Sequence, residues 1–194
     1  MAFRIQEYDA VPTTNAIIKE AIESGQPEGL VAFAFRQTAG YGRQGRAWVS
    51  PYGGMYASVL LRPQVPSEHL PTIALVVALA VRDALAALLA ARGIPLEGVQ
   101  VKWPNDVVCS QGKLCGISSE FVKGALCVGI GVNVFEPYEK AQVVGKSIPA
   151  YVANLLGSLR TSRVESEDTL TLSERSLIIE VTNRLVEALE IRYG

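Results

Sequence analysis

Between Arg36 and Trp48 the chain reads RQTAGYGRQGRAW, placing Arg36, Arg43 and Arg46 in eleven residues without an intervening acid. Three guanidinium groups offer fixed forks of donors for phosphate oxygens, and Gly40, Gly42 and Gly45 let backbone amides approach a ligand with no side chain in the way. This chemistry suits an adenylate. The letters also match the dinucleotide fingerprint G-x-G-x-x-G, but that motif must open an amphipathic helix, whereas here Pro51, Gly53 and Gly54 follow at once. No Lys-Ser or Lys-Thr pair follows either, so the segment is not a Walker A loop. Trp48 is able to stack on a nucleobase or to anchor the loop to a core. Without further context the same residues also describe a solvated basic loop with ordinary glycine turns.

A loop of this kind needs rigid neighbours. Residues 3–8 alternate as a strand, and Thr13 or Thr14 caps a helix with Ala16, Ile17, Ala21 and Ile22 on one stripe, ended by Gly25. Leu30 to Phe35 is an apolar strand that opens into an irregular segment from Gln37 to Gly54. Met55 to Leu61 is the next strand, and Leu70 to Ala91 a long apolar helix. Val99 to Lys102 is a short strand before the corner Trp103-Pro104. Asp106 to Cys109 and Leu114 to Phe121 form a hairpin around Ser110 to Lys113, and Ala125 to Val132 adds another strand. Beyond Pro149 the pattern is mainly helical, with a polar gap from Thr161 to Thr171 and a last helix near Ser173 to Ile191. The order predicts an α+β domain: a mixed, largely antiparallel sheet flanked by helices.

Four ordered segments, RQTAGYGRQGRAW at 36–48, KWPND at 102–106, GKLCGISSE at 112–120 and GIGVN at 129–133, resemble the catalytic domain of biotin protein ligases. The resemblance covers about Tyr8 through Val134. It implies the fold related to class II aminoacyl-tRNA synthetases, with biotin and ATP as substrates, Mg2+ as the accompanying ion, and biotinyl-5′-AMP as the activated intermediate. The partner it implies is a biotin carboxyl carrier protein or domain that receives biotin on one lysine.

By that resemblance Lys113 contacts the biotin carboxyl and the reacting phosphate, Arg43 grips the adenylate phosphate, and Arg46 supports the same loop. Thr13, Thr14, Asn15 and Gln37 match the residues around the ureido group, whose carbonyl and two N–H groups need paired donors and acceptors when buried. Gly40, Gly42 and Gly116 bring backbone close to the substrate. Trp48, Lys102, Asn105, Gly131 and Asn133 fall on the nucleotide side, and Asp106 orients Lys102 or Lys113 or meets a hydrated magnesium ion. Apart from the resemblance, Lys113 reads as a hairpin-tip lysine, Asn133 as an end-of-strand residue and Thr14-Asn15 as a helix cap. Tyr41 stands where the family often carries an arginine, which exchanges a cation for an aromatic contact.

The rest of the composition is bland. The chain has 194 residues, 18 Lys and Arg against 19 Asp and Glu, a net charge of −1, and no general nucleic-acid footprint. A chain of this length buries about 70% of its surface in one core, so residues 1–194 are expected to form a single domain. The longest apolar run there, Ile73 to Val81, is too short for a membrane span, and Glu7 and Asp9 interrupt any secretory signal, which predicts a cytoplasmic protein. Cys109, Cys115 and Cys127 are assigned to packing, and His69 has no partner for a zinc site. Few residues precede the similarity, so no DNA-binding segment and no DNA partner are expected, and the helical tail is expected to replace the small barrel of the family. A homodimer is compatible with the resemblance and is not fixed by any residue.

Overall fold

The computed structural model describes residues 2–138, 147–157 and 162–194. Seven strands form one sheet: β1 (Arg4–Val11), β2 (Leu30–Gln37), β3 (Gly54–Leu61), β4 (Gln100–Lys102), β5 (Asp106–Cys109), β6 (Gly112–Val122) and β7 (Ala125–Asn133), in the spatial order β1-β2-β3-β7-β6-β5-β4. Only β1 and β2 run parallel, joined through helix α1 (Thr14–Glu23), and every other neighbouring pair is antiparallel. The predicted mixed, largely antiparallel α+β architecture is the one observed.

Alternation along the central strands sends side chains to two different environments. Val31, Phe33 and Phe35 of β2, Met55, Ala57 and Val59 of β3, and Val128, Ile130 and Val132 of β7 enter the main core. Helices α2 (Ile73–Ala90) and α4 (Leu172–Tyr193) pack into that same core, with Leu85, Leu88, Ile178 and Leu189 buried. The opposite face is thinner. There Ala32, Leu60 and Cys127 meet Ile18, Ala21 and Ile22 of α1, and beside them the central strands carry Ser58, Ser118, Gly116, Gly129 and Gly131, with Tyr56 the large exception.

Local signals account for most boundaries. Thr13 caps α1 by accepting from the Asn15 amide, and Thr171 opens α4 in a capping box with Glu174. Two expectations shift. The long helix starts at Ile73 rather than Leu70, because Ser67–Thr72 is a 3₁₀ turn containing Pro71. With that turn the segment Ser67–Ala90 is long and apolar enough to cross a membrane, which the shorter run Ile73 to Val81 did not suggest, and in this molecule it is a core helix against the sheet and α4. The tail is also less helical than its pattern: α3 (Val152–Leu155) has four residues, while residues around Pro149 and Arg163 make β-bridges to Lys113 and Glu136. Of the predicted polar gap from Thr161 to Thr171, Thr161 lies outside the described residues.

Candidate active site

The middle of the sheet has a floor made of small residues in register. Ser58 of β3, Gly129 of β7 and Ser118 of β6 form one row across three strands, and Tyr56, Gly131 and Gly116 the next row on the same face. Beside the first row, the start of α1 inserts polar side chains. The hydroxyls of Thr14 and Ser58 are 2.7 Å apart, Ser58 donates to Asn15 Oδ1 at 2.6 Å, and the Thr14 amide donates to Gln37 Oε1 at 2.8 Å. Gln37 in turn donates through Nε2 to Ser50 at 3.1 Å. Thr14, Asn15, Ser58 and Ser118 are all buried, so this end of the site is a lattice of donors and acceptors of fixed direction.

The other end is cationic. Lys113 lies one residue inside β6, not at the tip of the hairpin turn, and a register shift against β5 explains its direction: Val107 pairs Cys115 but Val108 pairs Lys113, so Leu114 is the extra residue of a bulge. Consecutive Leu114 and Cys115 both enter the main core, and the change of parity turns Lys113 onto the site face. Its ammonium is 2.7 Å from Asp106 Oδ1 and 5.1 Å from the centre of the Trp48 ring. The segment carrying Pro149 clamps the same residue, since the Lys113 amide donates to Ile148 and the Ala150 amide to Lys113. Asn133, the last residue of β7, donates through Nδ2 to the Lys113 carbonyl at 2.9 Å.

Between the two ends lies the glycine-arginine segment, predicted as irregular. It is an arm folded on itself, with Tyr41 bridged to Ala47 and a 3₁₀ turn over Arg43–Gly45. Gln44, not only Gly45, adopts positive φ at the tip. Trp48 points down from the arm. A Cβ on Gly131 would come within 2.6 Å of its indole Nε1, and one on Gly116 within 2.9 Å of its ring, so the indole rests on both glycines. That Nε1 is buried and has no hydrogen-bond partner. Arg43 donates to Asn105 Oδ1 at 2.9 Å, and Asn105 donates to the Ile117 carbonyl at 2.6 Å.

Together these residues enclose an open cavity of about 710 Å³, within the range of small-molecule sites. Its walls include Thr13, Thr14, Asn15, Gln37, Gly42, Arg43, Arg46, Trp48, Asn105, Asp106, Lys113, Gly116, Gly131 and Asn133. Lys113, Arg43 and Arg46 face a single carboxylate, Asp106, among the lining residues. Two candidates lie elsewhere. Lys102 is exposed on the edge strand β4, and Gly40 sits behind the cavity wall, where a Cβ would press within 2.9 Å of Gln37 Nε2. Arg36 also faces away from the cavity, with its guanidinium 5.6 Å from the Tyr52 ring centre. Ser58 and Ser118 belong to the site although neither was singled out from the sequence: Ser58 stands outside the four motifs, and Ser118 is an unassigned position of GKLCGISSE.

Tyr41 is tied to Lys19 and Glu120, and both hydrogen bonds, Glu120 first, hold the Lys19 ammonium well above its usual range. Burial pushes the Cys115 thiol far up and that of Cys127 up to about 12, which keeps both protonated and fits their assignment to packing. No group of three or more His, Cys, Asp or Glu side chains able to hold a metal occurs among the described residues, and Asp106 is engaged by Lys113. That donor set does not fit a resident metal.

The model of the biotin/lipoate A/B protein ligase family matches residues 8–134. Among curated proteins, the chain is 35% identical over 132 residues to the bifunctional ligase/repressor BirA of Bacillus spizizenii, covering 65% of this chain and 39% of that protein. It is 42% identical over 106 residues to the biotin–[acetyl-CoA-carboxylase] ligase of Paracoccus denitrificans, covering 52% and 42% respectively. The chain thus spans less than half the length of either relative. Among solved structures, the biotin protein ligase of Aquifex aeolicus in complex with biotin and ATP superimposes with a TM-score of 0.67 at 28% identity, over 96% of this chain and 70% of that one.

Proposed function

Because the chain belongs to the biotin/lipoate A/B protein ligase family, we propose that it activates biotin with ATP and passes it, as biotinyl-5′-AMP, to a lysine of a biotin carboxyl carrier domain. The observation that carries this reading is the polarity of one cavity: a buried lattice of donors and acceptors at one end, and Lys113 with Arg43 at the other. A ureido ring has one carbonyl and two N–H groups and needs such a lattice to leave water. Lipoate, the alternative acid in this family, carries a dithiolane that satisfies none of those groups.

In the first step a biotin carboxylate oxygen bonds to the α-phosphorus of ATP, the bond to the bridging oxygen breaks, and pyrophosphate leaves. Lys113, released from Asp106, bridges the carboxylate and the α-phosphate and neutralises the charge that gathers there. Arg43 exchanges Asn105 for phosphate oxygens, and Arg46 at the exposed edge of the arm takes the outer phosphates. In the second step a neutral carrier amine attacks the acyl carbon and AMP departs with the electron pair. No enzyme nucleophile is required, in keeping with the two buried, protonated thiols.

The test is a single turnover with biotin and magnesium-ATP, following pyrophosphate and biotinyl-5′-AMP by mass spectrometry, then transfer to a carrier domain. Lys113→Ala is expected to slow adenylate formation by about 10²- to 10³-fold. Faster activation of lipoate than of biotin by the unmodified chain overturns the substrate assignment.

A further inference from the structure

Besides the packing of Trp48 on the glycine floor, side-chain hydrogen bonds fasten the arm over the cavity at two places. At its tip, Arg43 donates to Asn105 at 2.9 Å. Nearer its base, the Tyr41 hydroxyl donates to Glu120 Oε1 at 2.9 Å and accepts from Lys19 Nζ at 2.9 Å, while Lys19 and Glu120 are themselves 2.7 Å apart. The Lys19 ammonium also lies 5.4 Å from the centre of the Tyr41 ring. Lys19 comes from α1 and Glu120 from β6, so the triangle ties the arm to two separate elements. A phenol both donates and accepts, which lets it join an ammonium and a carboxylate at once.

The two fastenings differ in what the reaction does to them. Arg43 must release Asn105 to reach a phosphate, whereas the hydrogen bonds of the triangle run among Tyr41, Lys19 and Glu120 themselves, with the Tyr41 ring lining the cavity and Lys19 and Glu120 outside it. We propose that Tyr41, Lys19 and Glu120 form a clasp that keeps the arm closed over the acyl-adenylate while Arg43 changes partners, making Tyr41 a positioning residue for retention of that intermediate. The identity of the intermediate rests on the biotin ligase reading; the clasp does not.

Tyr41→Phe keeps the ring and the cavity wall and removes only the hydroxyl. Hydrogen exchange of the ligand-free full chain reads the clasp directly, because the Gly42 and Trp48 amides bond within the arm. In Tyr41→Phe, exchange over residues 40–48 accelerates about tenfold with β7 unchanged, the size expected for losing charge-assisted hydrogen bonds. In turnover, escape of preformed biotinyl-5′-AMP into a trap quickens about tenfold, while pyrophosphate release stays within about twofold. Adding Tyr41→Phe to Glu120→Ala changes escape by less than about twofold, since both break one unit. Unchanged arm exchange, unchanged escape, additive double-variant effects, or a pyrophosphate step slowed as much as escape is quickened each overturns the clasp. A chain that forms no adenylate defeats the ligase reading instead, and the exchange measurement still decides the clasp.

Discussion

Lys113 illustrates how one residue's direction depends on its neighbour. The lysine reaches the site because Leu114 is accommodated as an extra residue and drops into the core. Spacing within GKLCG carries no trace of that change of face, which is why the isolated residue reads as a turn lysine. The alignment of Ser58 with Ser118 was hidden for a related reason: Ser58 is a lone serine in a strand, Ser118 is one of two adjacent serines in GKLCGISSE, and only the register Ser58-Gly129-Ser118 brings them together. By contrast, Gln37, Arg43 and Lys113 drew notice because they stand in ordered motifs, and Thr14 and Asn15 because they open the first helix. Gly131 offers a direct test of the floor. A methyl there meets Trp48 Nε1 at 2.6 Å, so Gly131→Ala displaces the indole; biotin or nucleotide affinity by calorimetry falls about tenfold, and overpacking costs about 1–3 kcal/mol in urea unfolding. Unaltered affinity would show that the indole is not part of the binding surface.

Among the elements, α4 is attached by ion pairs that the sequence could not reveal, because partners are far apart along the chain. Asp9 of β1 accepts from Tyr52 and Arg175, and these two hydrogen bonds hold its carboxyl below the usual 3.8. Glu180 accepts from Arg92, in the turn just after α2, and from Arg184, Arg92 being the larger influence, and lies below its usual 4.5. Groups with lowered folded-state values contribute stability above their unfolded values and lose it as pH falls through the folded ones. The urea midpoint is therefore expected to hold from pH 7 to about 5 and to fall below about pH 4, and Asp9→Asn combined with Glu180→Gln should flatten that fall. An equally steep fall in the double variant would assign acid sensitivity elsewhere. Strand positions were readable from alternation and apolar runs, and the start of α1 from its threonine cap, whereas the capping box of Thr171 and Glu174 that opens α4 emerged only in the structure. The start of α2 and the extended stretches of the tail were not readable, because Pro71 sits inside a 3₁₀ turn and the bridges at Pro149 and Glu136 depend on distant strands.

Taken as a whole, the molecule divides its labour between the two faces of one sheet. Large side chains under α2 and α4 supply the bulk of the core, so the opposite face is free to use serine and glycine where a conventional core would need leucine. The same division separates the two tryptophans of the chain. Trp103 is 69% exposed at the corner after β4, while Trp48 lies half-buried on the glycine floor. Water already surrounds the first indole, and any occupant of the cavity must touch or move the second. Intrinsic fluorescence consequently separates into a constant red-shifted background and a bluer component responsive to filling, and Trp103→Phe should leave a protein that reports its own occupancy without a dye.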